Sequence, residues 1–118
     1  MIAAKQVPAE VLAELANEFA AGLPARAAVL REALDELEQG ASADAAQRLR
    51  LTAHALAGTA SAFGARELAP HAERLESLGK AWQEQHGAAD AVDVARARDV
   101  LAQLIATMDI VAERLRSR

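Results

Sequence analysis

Apolar residues recur every three or four positions along this chain, and that spacing constrains its fold most. Leu12, Leu15, Phe19, Leu23, Leu30, Leu34 and Leu37 follow one another at these intervals, the period of an amphipathic helix. The phase carries through Pro24, because Leu12 and Leu30 lie about five whole turns apart. The pattern predicts one long helix from about Pro8 to Gln39, kinked or broken into two collinear pieces near Gly22 and Pro24. Pro8 suits its first turn and Gly40 its stop.

Three further helices follow. The second is expected from about Ser42 to Phe63, with Ser42 as N-cap, Asp44 in the first turn and Gly64 as the left-handed residue that ends it. The third is expected from about Ala65 to His86, with Leu68, Ala72, Leu75, Leu78 and Trp82 turned inward and Gly87 as its end. Pro70 near its start can delay the regular helix by a turn. The fourth opens near Asp90, with Asp93 in a variant of the capping-box position. Its apolar stripe is Val94, Ala97, Leu101, Leu104, Met108, Val111 and Leu115. Four such helices with short links make antiparallel neighbours. The expected fold is all-α: an antiparallel up-down four-helix bundle forming a single domain over residues 1–118. Leu49, Leu56, Phe63, Leu75, Leu101 and Leu104 should be buried together.

Composition agrees and excludes several functions. Alanine occurs 32 times, while aromatic residues reach only 3%, so helix formers dominate and strand formers are sparse. With 118 residues there is no room for a nucleotide-binding domain beside the bundle. Cysteine is absent, which removes disulfides and thiolate chemistry and fits a reducing cytoplasm. The segment MIAAKQVPAE lacks the apolar region of a signal peptide, and no apolar run approaches the ~20 residues of a membrane span. A net charge of −4 argues against nucleic-acid binding, which wants a basic face. Eleven Arg against two Lys fits GC-rich codon usage and a bacterial source.

His54 is the residue that stands out. On a wheel of roughly 100° per residue, Leu49, Ala53, Leu56, Ala60 and Phe63 form the core face of the second helix. His54 falls about 140° away, with Gln47, Arg50, Leu51, Ala57, Gly58 and Ser61 around it. Gly58 is informative, since a mid-helix glycine costs about 1 kcal/mol relative to alanine in a chain that uses alanine nearly everywhere. Its missing side chain would let another protein approach the imidazole. Imidazole titrates near neutrality and its neutral form is nucleophilic, so it can accept a phosphoryl group and release it again. Phosphoryl transfer depends mainly on positioning and charge neutralisation. The other histidines have plainer readings: His71 as a packed, hydrogen-bonded residue between Leu68 and Leu75, and His86 as an imidazole meeting a helix C-terminus.

The stretch His54-Ala55-Leu56-Ala57-Gly58-Thr59-Ala60-Ser61-Ala62-Phe63-Gly64 resembles the signature of histidine phosphotransfer (HPt) domains: His-x-Leu-Lys-Gly, a small residue, an apolar tail and a closing Gly. Leu68 and the Leu75-Glu76 pair are similar to elements of the family's following helix. Leu12, Phe19, Leu30 and Leu34 are similar to its preceding one, so the resemblance covers about residues 8 to 80. It implies a phosphocarrier without autonomous catalysis, taking phosphate at His54 from the aspartate of one receiver domain and passing it to another. Partners would be receiver domains of response regulators or hybrid histidine kinases. The chain would need no cofactor, since Mg²⁺ would sit on the receiver, and would act as a cytoplasmic monomer. Arg50, Leu51, Ala57, Gly58 and Ser61 would form the partner and phosphate surface, with Gly58 as the clearance glycine. The sequence departs from the pattern at Ala57, where the family usually has Lys. A branch of the family does read His-x-Leu-Ala-Gly. Arg50, one turn before His54, is the candidate to steady the phosphate instead.

Other readings fit less well. A histidine-kinase dimerisation hairpin puts an acidic residue directly after its histidine, where this chain has Ala55, and no ATP-binding glycine motif occurs. A di-metal carboxylate bundle needs Glu-x-x-His on two helices, and neither occurs. A degenerate module that only binds receiver or kinase domains differs from a carrier in chemistry, which a phosphorylation assay separates.

Overall fold

The computed structural model describes residues 8–117. Among them it contains four α-helices and no strand: α1 (Ala9–Gln39), α2 (Ala43–Ala62), α3 (Ala69–Glu84) and α4 (Ala91–Arg116). Among the described residues each helix packs against its neighbours in the chain, α1 closes the ring on α4, and the backbones of diagonal pairs stay farther apart. This is the antiparallel up-down bundle. None of the described helices is long and apolar enough to cross a membrane.

The helix ends have identifiable chemical causes. Ser42 caps α2, its hydroxyl accepting from the Ala45 amide at 3.0 Å. Asp90 caps α4 through the Val92 amide at 2.8 Å, while Asp93 pairs with Arg96 instead of closing a capping box. At the end of α2, Gly64 takes φ 72°, and the amides of Gly64 and Ala65 reach back to Ser61 and Ala60. These two bonds satisfy carbonyls that the helix end would otherwise leave free. The same two-bond pattern ends α3, with His86 in the left-handed position at φ 59° and the Gly87 amide on the Trp82 carbonyl at 2.7 Å. Gly87 itself takes φ 83°, which favours glycine, and it is needed for a second reason. A Cβ there would fall 2.1 Å from the Ser42 carbonyl carbon, because the Gly87 carbonyl accepts from the Ser42 amide and joins the two loops at that end.

The first helix is the one long element expected, 31 residues that run through Pro24 unbroken, with Pro8 just before its first residue as the cap rather than in its first turn. Both ends of the third helix are corrected in detail. The third helix does not begin at Ala65. A 3-10 turn over Arg66–Leu68 comes first and α3 starts at Ala69, with Pro70 in its first turn. Proline lacks an amide hydrogen, so regular bonding starts where none is required of it. Helix α3 also stops at Glu84 rather than His86.

The core is a ladder of leucines and alanines. Leu30, Leu34, Leu49, Leu56, Leu68, Leu75 and Leu104 are fully buried, Leu101 nearly so, and all seven stripe residues of α4 are inside. Each buried leucine is worth about 1.5–3 kcal/mol. Phe63 is only partly buried and stacks on Phe19, with centroids 5.3 Å apart. Leu12 and Leu15, part of the α1 stripe, stay 46% and 40% exposed. At 1.5 Å per residue, α1 outruns the 20 residues of α2 and the 16 of α3. Leu115 near the end of α4 is what lines a shared hollow with Ala9, Leu12, Ala13 and Ala16.

Arginines tie the seams. Arg48 joins α2 to Glu36 of α1, and Arg98 joins α4 to Asp35 and Glu38 of α1. Arg114 holds Glu67 and also donates to the Gly64 carbonyl at 2.9 Å, clamping α4 onto the α2–α3 connection. The Arg114 guanidinium, hydrogen-bonded to Glu67, pushes that carboxyl down to about 2 from its ordinary 4.5. A carboxylate depressed in the folded state stabilises it above the unfolded value, and the gain is lost as pH falls through the folded value. Arg114→Ala should therefore lower the melting temperature at neutral pH by a few degrees, since the exposed pair is worth about 1 kcal/mol or less. The gap between variant and wild type should narrow between pH 4.5 and 2. Thermal melts by circular dichroism across that range test this, and a gap independent of pH would remove the Glu67 pair from the account.

Candidate functional site

Helices α2 and α3 form a hairpin about Gly64 and Ala65, and their crossing builds the site. The two backbones come close at Gly79. This buried residue lies against the Arg50 backbone, so that a Cβ would meet the Arg50 nitrogen at 2.9 Å and its Cα at 3.1 Å. Only a glycine lets the helices sit this close. On either side of this point one polar pair crosses the seam. Arg50 Nε donates to Gln83 Oε1 at 2.6 Å. His54 Nδ1 lies 2.9 Å from Glu76 Oε2.

His54 is on the bundle exterior, its side chain 71% exposed. Glu76 is more enclosed, at 29%, so the packed carboxylate provides an anchor for the exposed ring. A carboxylate can only accept at neutral pH, so this contact places the ring proton on Nδ1. The lone pair of the neutral imidazole then sits on Nε2. One nitrogen is held by the bundle and the nucleophilic one remains free.

The residues expected around His54 divide into two groups. Leu51, Gly58 and Ser61 are exposed with it, and a Cβ at Gly58 would have nothing within 4 Å. Leu51, at 47% exposure, is a large apolar side chain left in solvent beside the imidazole. Ala57 and Arg50 are not on that open face. Ala57 is partly buried and packs against the core. Arg50 is half-buried and engaged with Gln83. The α2 flank that carries them meets α3, which the wheel of one helix alone does not reveal.

His71 is half-buried in α3, but its buried Nδ1 has no hydrogen-bond partner, which corrects the hydrogen-bonded reading. His86 is exposed in the turn after α3. Neither joins His54. Among the described residues, no three His, Asp or Glu side chains gather as metal ligands.

Sequence reasoning had Glu76 only as part of the Leu75-Glu76 pair, without its contact to His54, and missed Gly79 altogether. A signal for each was present. His54 and Glu76 stand equally far, eleven residues, on either side of Ala65, so an antiparallel hairpin turning there sets them level. Gly79, like Gly22 and Gly58, is a mid-helix glycine in an alanine-rich chain, open to the argument applied to Gly58.

In comparisons with known proteins, the family model described as Hpt domain matches residues 14–107. No curated protein and no solved structure matches the chain.

The two glycines should answer substitution with opposite signs. Gly58→Ala fills open space on an exposed helix and should stabilise the fold by about 0.5–1 kcal/mol. Gly79→Ala forces α2 and α3 apart and should destabilise it by about 1–3 kcal/mol. Urea unfolding midpoints measure both, and equal effects would contradict the asymmetry of the seam.

Proposed function

The chain belongs to the Hpt domain family, whose members take part in histidine phosphotransfer in two-component signalling, and on that premise we propose that His54 is its phospho-acceptor. Hpt domains are phosphocarriers rather than enzymes in the usual sense, and they interact with receiver domains and histidine kinases. The observation that carries the reading is the hydrogen bond between His54 Nδ1 and Glu76 on an otherwise exposed imidazole.

The chemistry follows from that contact. Nε2 attacks the phosphorus of an aspartyl phosphate on a receiver domain. The N–P bond forms, the P–O bond breaks, and its electron pair leaves with the aspartate carboxylate. The Nδ1 proton stays in place. Positive charge grows on the ring as the bond forms, and Glu76 lies where it stabilises that charge. Donation to a second receiver is the same step reversed. The chain itself needs no cofactor, and the Mg²⁺ of the reaction belongs to the receiver. Leu51, Gly58 and Ser61 form the open landing face beside the ring, while Arg50 and Ala57 lie under its edge. The carrier acts as a cytoplasmic monomer.

Incubation with a phosphorylated cognate receiver should give an acid-labile, alkali-stable label. His54→Gln should abolish it, while His71→Gln and His86→Gln should keep it. A receiver that binds without labelling the chain would identify a docking module instead. Glu76→Ala should slow transfer about ten-fold, the loss of a charge-assisted hydrogen bond of about 1.4 kcal/mol, without abolishing the label. Unchanged rates in that variant would deny Glu76 a part. Gly58→Leu should slow transfer with the helix content intact, and normal transfer would end the clearance argument.

A further inference from the structure

We propose that Lys80 of α3 is the cation that meets the phosphoryl group on His54, a role that rests on the reading of His54 as acceptor. Phosphorylation places about −1.5 to −2 charges on the ring, on the same seam as the Glu76 carboxylate. Charge of one sign then accumulates on a face whose α2 side offers Gln47, Leu51, Ala55, Gly58 and Ser61, all of them uncharged. A counter-cation has to come from the seam or from α3.

Arg50 is drawn the wrong way. Its backbone abuts Gly79, and its Nε is held by Gln83. Gln83 and Glu76 lie on opposite sides of Gly79 along α3, so the guanidinium leans away from His54. Arg74 sits on the flank turned to α4, lining a hollow with Leu78, Arg96 and Val100.

Lys80 combines an exposed, unpaired charge with the right flank, which neither of them does. It stands one turn after Glu76, about 40° farther toward solvent, on the same flank of α3 as Glu76 and Gln83, the side chains that reach α2. It is exposed, and it makes no ion pair among the described residues. Its flexible four-carbon stem can span the single turn, about 5.4 Å, that separates it from the level of Glu76. A cation carried on α3 also leaves the α2 face small, which a lysine at position 57 would not.

The test uses the full chain, labelled directly with phosphoramidate so that no receiver is needed, and with His54→Gln as the unlabelled control. A ³¹P NMR titration then reads the second ionisation of the phosphoryl group. A nearby cation favours the dianion, so Lys80→Gln should raise the midpoint by about half a pH unit, roughly three-fold in proton affinity. Lys80→Arg should restore it. Salt near 0.5 M should shrink the difference, and the melting temperature of the unlabelled protein should not move. A midpoint unmoved by Lys80→Gln, or moved instead by Arg50→Gln, overturns the proposal and leaves the carrier reading standing. A clear shift with Lys80→Gln, but no label from any phosphorylated receiver, supports the contact and sinks the carrier reading alone. Failure of phosphoramidate to label His54 overturns both.

Discussion

The approach of α2 to α3 at Gly79 is the constraint on which the site depends. Without a side chain there, the Arg50 backbone lies in van der Waals contact with α3, and this fixes both the spacing and the level of the two helices. Glu76, one turn before Gly79, is thereby set within hydrogen-bond reach of His54. A wider crossing would leave both groups in solvent with no reason to meet. The geometry of the acceptor is thus a result of backbone packing rather than of any feature of the histidine's own helix.

The seams of the bundle differ in kind. Arg48, Arg98 and Arg114 close theirs with carboxylates, pairs that are exposed and individually modest. The α2–α3 seam has no arginine–carboxylate pair among the described residues. It uses small residues pressed together, with Arg50–Gln83 and His54–Glu76 on either side of the contact. That leaves the imidazole bonded to a single acceptor, with Nε2 uncommitted. Had an arginine occupied position 54, the same geometry would have made one more structural tie.

Much of this was legible in the sequence, because helix period and helix ends are local properties. The stripe from Val94 to Leu115 is buried throughout, and Ser42, Gly64 and Asp90 act where their chemistry says they should. The exposure of Leu12 and Leu15 was not legible, since it depends on how far α1 outruns its neighbours. Nor was the placement of Arg50 and Ala57. A wheel separates core from surface, yet both residues sit at the boundary, where only the neighbouring helix decides. The open face at Gly58 could be read because it needs nothing from another element, whereas the role of Gly79 exists only between two.

His54 and Glu76 are 22 residues apart, both within the hairpin closed at Gly64. The two contacts that set the acceptor directly, Gly79 against Arg50 and Glu76 on His54, therefore both fall inside one hairpin. Pairing α1 with α4 instead joins segments from the two ends of the described chain. In folding terms the site belongs to the low-contact-order part of the molecule, and the long-range closure of the ring is a separate event. Partial openings of a native protein run along such divisions. Fraying of the first turns of α1, where Leu12 and Leu15 already face water, leaves the acceptor geometry in place. The stability of the whole bundle and the integrity of its reactive nitrogen are, to that extent, independent quantities.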